Sequence, residues 1–151
     1  MPLGQSHNSH ADSSRPPRRG VVGVIMEQGK LLVIRRSRLV RAPLKYCFPG
    51  GSIEPGETEQ QAVLRELDEE LALDVTVGKK LWHCTTSWGV DLAWWQVFRD
   101  PSQEPQIAPS EVDSYYWMTA AEMQVLRDLL PSNYEFLKLL AQQAITIDEA
   151  P

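Results

Sequence analysis

Between Glu54 and Glu70 the chain places seven carboxylates against a single cation, Arg65. On a helix, Glu66, Glu69 and Glu70 are related as i, i+3 and i+4, so their side chains leave from one face and repel one another. Three carboxylates gathered this way make an all-oxygen donor set suited to a hard divalent cation, Mg²⁺ or Mn²⁺. The pair Gly50-Gly51 just upstream lets the backbone approach closely, so the Gly50 carbonyl can supply a further oxygen. An acidic protein that binds phosphates generally needs such a cation as intermediary.

The spacing predicts the helix that would carry these groups. Thr58-Glu59-Gln60-Gln61 has the capping-box pattern, and Val63, Leu64, Leu67 and Leu71 follow at helical intervals, placing the leucines opposite the acids for burial against a sheet. Upstream, "VVGVIMEQGKLLVIRR" reads as two strands joined by a turn at Gln28-Gly29. Tyr46-Cys47-Phe48 is a short strand-like run, after which Pro49-Gly50-Gly51 is expected to break regular structure. Downstream, "DVTVGKKLWHCTTSW" and "VDLAWWQVFRD" read as strands around a turn near Ser87 to Gly89, and "YYWM" as a last short strand. Thr119 to Glu122 and Ser132 to Glu135 are two further capping boxes, opening helices to about Leu130 and Gln143. Strands and helices in this mixed order predict an α/β fold with a central sheet covered by helices on its faces.

With 151 residues, 42% hydrophobic and 23% charged, the chain fits one domain with a core large enough to need no disulfide. Residues 1–19 read as a disordered N-terminal arm, 20–144 as the folded domain and 145–151 as a C-terminal tail. Cys47 and Cys84 match no metal-ligand pattern and read as reduced structural residues. A net charge of -5 argues against a nucleic-acid partner. No apolar run is long enough to span a bilayer, and the first residues lack a secretory pattern. These features predict a cytoplasmic protein without membrane partners, acting as a monomer or homodimer.

Gly51, five residues, Glu57, seven residues, then Arg65-Glu66-Leu67-Asp68-Glu69-Glu70 resembles the sequence box of the Nudix hydrolases. The resemblance implies a Nudix fold, an α/β/α sandwich around a mixed β-sheet, and metal-dependent cleavage of a nucleoside diphosphate linked to a variable group. It implies that Glu66, Glu69 and Glu70 are the metal ligands, that Arg65 orients the cluster, and that Glu57 braces the turn. Glu111, in "PSEVDSYYWM", suits the later-loop general base that some members use. Two further stretches resemble the MutT-type branch, which acts on nucleoside triphosphates. In "LLVIRRSRLVRAPLKYCFPGG", Arg35, Arg36 and Lys45 would hold phosphates or the sugar end, and in "LLPSNYEFLKLL", Asn133 would read a purine edge with its amide. ADP-ribose, nucleotide sugars and dinucleoside polyphosphates are alternative substrates, and a non-catalytic Nudix-fold nucleotide sensor is the alternative of another class. Ala72 departs from the box, which has glycine there; in the left-handed turn that ends the helix, alanine costs about 1 kcal/mol more than glycine.

Overall fold

A computed structural model describes residues 18–148. The chain forms β1 (Arg18–Val24), β2 (Met26–Glu27), β3 (Lys30–Arg36), β4 (Tyr46–Cys47), β5 (Gly50–Ser52), α1 (Glu59–Leu71), β6 (Val75–Thr85), β7 (Val90–Arg99), β8 (Val112–Met118), α2 (Ala120–Gln124) and α3 (Pro131–Ala141). One sheet has the order β5-β1-β7-β6, with β1 and β7 parallel and the other pairs antiparallel. In the second, β3 pairs with β2, β4 and β8, all antiparallel. At Ile25, whose carbonyl accepts from Leu32 N–H, the first strand run passes from one sheet to the other. Gln28 and Gly29, both at positive φ, make the tight β2-β3 turn.

Strand alternation divides the interior into two layers. Val21, Ile25, Leu32, Ile34 and Cys47 pack with Ala62, Val63, Leu67 and Leu71 of α1. Val22, Val24, Leu31, Val33 and Phe48 pack with Met123, Phe136 and Leu137 of α2 and α3. Strands buried on both faces read as continuous apolar runs, which is why "VVGVI" and "LLVI" lie at the centre. The mixed α/β architecture agrees with the expected sandwich. Gly23 lets α1 seat closely on β1, because a Cβ there would come within 2.8 Å of Leu67 Cδ2.

The capping box of α1 forms as expected, with Thr58 Oγ1 accepting from Gln61 N–H and Gln61 Oε1 accepting from Thr58 N–H. Ala72 ends the helix at φ 54°, ψ 38°, where its N–H reaches Asp68 O and Leu73 N–H reaches Leu67 O. Ala72→Gly should therefore raise the unfolding free energy by about 0.5–1 kcal/mol, relief of the left-handed alanine outweighing glycine's extra chain entropy. An unchanged urea midpoint would show that the alanine carries no strain.

Five expectations need correction. Gly50-Gly51 do not break regular structure but lie in β5, drawn into the ladder by pairing with Val22 and Val21. Leu64 is 41% exposed, and Val63 takes its place in the core. The helix from Thr119 stops at Gln124, because Tyr46 N–H bonds to Asp128 O and Leu130 N–H to Tyr46 O, holding residues 128–130 extended beside β4. The last helix is capped by Leu130 with Pro131 in its first turn, so Ser132 and Glu135 form no capping box. The limits of the folded region also move. Arg18 and Arg19 pair with Val90 and Asp91, and Ile145 is buried while the Asp148 backbone bonds to both ends of the Gln96 amide. The rest of the expected arm lies outside the described residues. No helix among the described residues is long and apolar enough to cross a membrane.

Candidate active site

Helix α1 carries its acids onto the β5 edge. Arg65 is the hub: its guanidinium donates to Glu57 Oε2 at 2.7 Å, Glu57 Oε1 at 2.9 Å and Ser52 O at 2.8 Å, and to Glu66 at 3.0 Å and Glu69 at 3.2 Å. These bonds hold the Glu57 carboxyl well down, at about 2, and push the Arg65 pKa up. Arg65 thus contacts Glu57, Ser52, Glu66 and Glu69 at once. Glu54 N–H also donates to Glu57 Oε1, so one carboxylate ties the turn to the helix.

Behind this hub, Glu70 is buried, and its Oε1 accepts from Gly50 N–H at 3.0 Å. Burial pushes its carboxyl up to about 8, and the neighbouring Glu66 charge adds to the rise. Glu66 is raised too, chiefly by burial, against the pull of Arg65. Gly51 must lack a side chain, because a Cβ there would fall onto the Glu66 carboxylate.

The expected ligand trio is not gathered as three convergent acids: among the described residues no three acid, His or Cys side chains form a ready metal cluster. The reason is local, since Arg65 precedes Glu66 by one residue and Glu69 by four and takes one oxygen of each. Gly50 meets Glu70 through its N–H. The donor chemistry nonetheless fits a hard cation. Glu70 makes no ion pair among the described residues, and its buried charge lies beside that of Glu66, a combination that a divalent ion would neutralise.

Gly50 and Gly51 form part of the wall of a cleft of about 460 Å³. Arg18, Arg19, Arg36 and Arg41 line it, as do Val22, Phe48, Trp88, Leu92 and Asn133. Of the residues predicted to meet substrate, Arg36 and Asn133 line this cleft. Arg36 donates to Arg41 O at 2.8 Å, bracing the loop that brings Arg41 in. Arg35 and Lys45 do not line it. Strand alternation turns Arg35 to the other face, where it lies over Tyr46 and 3.7 Å from Asp113, and Lys45 pairs with Asp128 at 3.4 Å. Asn133 is 4% exposed, and its Oδ1 accepts from Phe48 N–H at 2.9 Å. Its acceptor side thus fastens β4 to α3, and Nδ2 keeps only a 3.4 Å contact with Ser132 Oγ. Glu111 joins the acids electrostatically, its charge raising both Glu66 and Glu70.

Sequence reasoning missed Arg18, Arg19 and Arg41. The first two fell within a segment whose Pro, Ser and Arg content reads as tail, and Arg41 lies in an irregular loop. Among the tryptophans, Trp94 is core, stacked on Phe136 at 4.8 Å, and Trp95 donates to Glu59. Trp88, 54% exposed at the tip of the β6-β7 turn, lines the cleft.

A helix presenting buried acids at the edge of a mixed sheet, inside an α/β/α sandwich, defines a known class of domain. The NUDIX domain family model matches residues 14–140, and the chain belongs to that family. It is 39% identical over 59 residues to the CTP pyrophosphohydrolase of Escherichia coli, covering 39% of this chain and 44% of that protein. It is 62% identical over 44 residues to an 8-oxo-dGTP diphosphatase of Proteus vulgaris, covering 25% of this chain and 39% of the relative. The chain thus spans less than half the length of these curated relatives. Among solved structures, the E. coli ORF135 protein superposes with a TM-score of 0.71 at 27% identity, covering 87% of this chain and 94% of that one. The MutT protein of Methanosarcina mazei gives 0.74 at 20% identity over 86% and 96%, a likeness of fold.

Proposed function

We propose that this chain is a divalent-metal-dependent hydrolase of nucleoside diphosphate derivatives, with nucleoside triphosphates as its leading substrate class. The observation that carries the reading is the buried Glu70 carboxylate with the partly buried Glu66 beside it, against the Gly50-Gly51 wall of an arginine-lined cleft. Relatives named as a CTP pyrophosphohydrolase and as 8-oxo-dGTP diphosphatases support it.

In this reading Glu66, Glu69 and Glu70 would hold Mg²⁺ or Mn²⁺, with Gly50 beside Glu70. When bound, the ion lowers the pKa of water and neutralises charge on phosphate oxygens. Arg65 fixes the Glu66 and Glu69 rotamers and is itself fixed by Glu57 and Ser52. Arg36 and Arg41 bind the phosphate chain, where bidentate guanidinium contacts are strong. Glu111 accepts the proton of the attacking water as general base. Asn133 donates from Nδ2 to an acceptor on the base, its Oδ1 being occupied by Phe48 N–H.

A panel of nucleoside triphosphates, ADP-ribose, nucleotide sugars and dinucleoside polyphosphates, assayed with Mg²⁺ and with Mn²⁺, tests the assignment. The expected result is release of a nucleoside monophosphate, fastest from triphosphates and absent with chelator. Tight nucleotide binding with no release across the panel would instead identify a sensor.

A further inference from the structure

Arg18 lines the cleft from the start of β1. Alternation along β1 sends Arg18, Gly20 and Val22 toward the layer of Phe48 and α3, while Arg19 faces α1, where it lies 3.7 Å from Glu59. Arg18 pairs in register with Val90, just past the β6-β7 turn that carries Trp88. It therefore shares the face of β1 that packs toward Phe48 and Leu92, and it lines the cleft together with Trp88 and Asn133. Among the described residues its guanidinium makes no hydrogen bond or ion pair, whereas Arg19, Arg35, Arg36, Arg65 and Arg99 are all engaged.

Arg18 and Asn133 offer donors here, beside the Ser132 and Thr86 hydroxyls, which can donate or accept. The Asn133 carbonyl is spent on Phe48 N–H, and its Nδ2 has only a long 3.4 Å contact with Ser132 Oγ. Arg18 has donors alone. A base entering here meets an exposed indole for stacking and two sets of N–H groups at its edge. Such a wall favours an edge of adjacent acceptors. Guanine's O6 and N7 fit an arginine fork, whereas adenine turns its N6 amino donor against the same groups. We propose that Arg18 is a specificity-determining residue that reads the carbonyl edge of a guanine-type base stacked at Trp88. This rests on the nucleotide reading above.

The test compares GTP with ATP, as kcat/KM with Mg²⁺, in the full chain and its Arg18→Gln and Arg18→Lys variants. The GTP:ATP ratio is expected to fall about tenfold or more in Arg18→Gln. It should fall nearly as far in Arg18→Lys, because a lysine keeps the charge and loses the fork. Equal losses for both nucleotides, or rescue by lysine, would make Arg18 a phosphate contact and overturn the proposal, as would an unchanged ratio. If the wild-type chain hydrolyses nothing, the hydrolase reading falls. The ratio of GTP to ATP binding constants, followed by tryptophan fluorescence, then decides the role of Arg18 by the same criteria.

Discussion

Replacing Glu70 by Gln is expected to lower metal-dependent turnover by about 10³-fold or more while making the metal-free protein more stable at neutral pH. The activity loss follows from removing an anionic donor, where the ion supplies several kcal/mol of transition-state stabilisation. The stability gain follows from where that carboxylate lies. Burial and the Glu66 charge push the Glu70 carboxyl from 4.5 to about 8. A carboxyl raised in the folded state binds its proton more tightly there than in the unfolded chain. Its favourable contribution is complete below about pH 4.5 and is lost as pH climbs through 8, at up to about 1.4 kcal/mol per pH unit. The metal-free wild type should therefore lose stability across this window, while Glu70→Gln, which still presents an oxygen to Gly50 N–H, should show a flatter profile. Mg²⁺ should recover much of the loss in the wild type and little in the variant. Thermal melts between pH 5 and pH 8.5, with and without Mg²⁺, decide it: identical pH profiles for the two proteins would remove Glu70 as the strained acid. Retained turnover would remove it from the site.

What made this site legible was local. The α1 capping box, its apolar spacing and the grouping of Glu66, Glu69 and Glu70 involve residues within a few turns of one another, and the helix forms as far as its left-handed Ala72. The parts that escaped depend on pairing distant in sequence. Two glycines have weak strand propensity, and only the ladder with Val21 and Val22 makes β5 of them. Residues 125–130 carry helix-compatible letters, but Tyr46 bonds to Asp128 and Leu130 and holds the end of this stretch beside β4. That segment places Pro131 in the first turn of α3 and sends Asn133 to Phe48. The cleft as a whole was not legible, because Arg18, Arg36, Trp88 and Asn133 come from four separate segments. Among neighbouring basic residues only strand alternation decides which enter: Arg36 does, while Arg35 turns to Asp113.

Arg65→Lys should show that position 65 needs a fork and not merely a charge. Arg65 uses Nε and both terminal nitrogens at once, with Glu57 on two of them, Ser52 O on one, and Glu66 and Glu69 on the other. A lysine ammonium is a single point with three donors and cannot span these partners. Two carboxylates that are 14% and 13% exposed would then lose most of their compensation. Removing the fork leaves hydrogen-bonding capacity of Glu57 and Glu66 unmet, so the variant should melt several degrees below the wild type. Turnover should fall as well, through loosened Glu66 and Glu69 rotamers, and raised Mg²⁺ should restore part of the activity but not the lost melting temperature of the metal-free protein. Arg65→Lys with wild-type stability and turnover would mean that the network around Arg65 is a surface decoration. A loss of stability without any change in metal dependence would confine Arg65 to bracing the turn through Glu57 and Ser52, and would leave Glu66 and Glu69 to be oriented by the ion they bind.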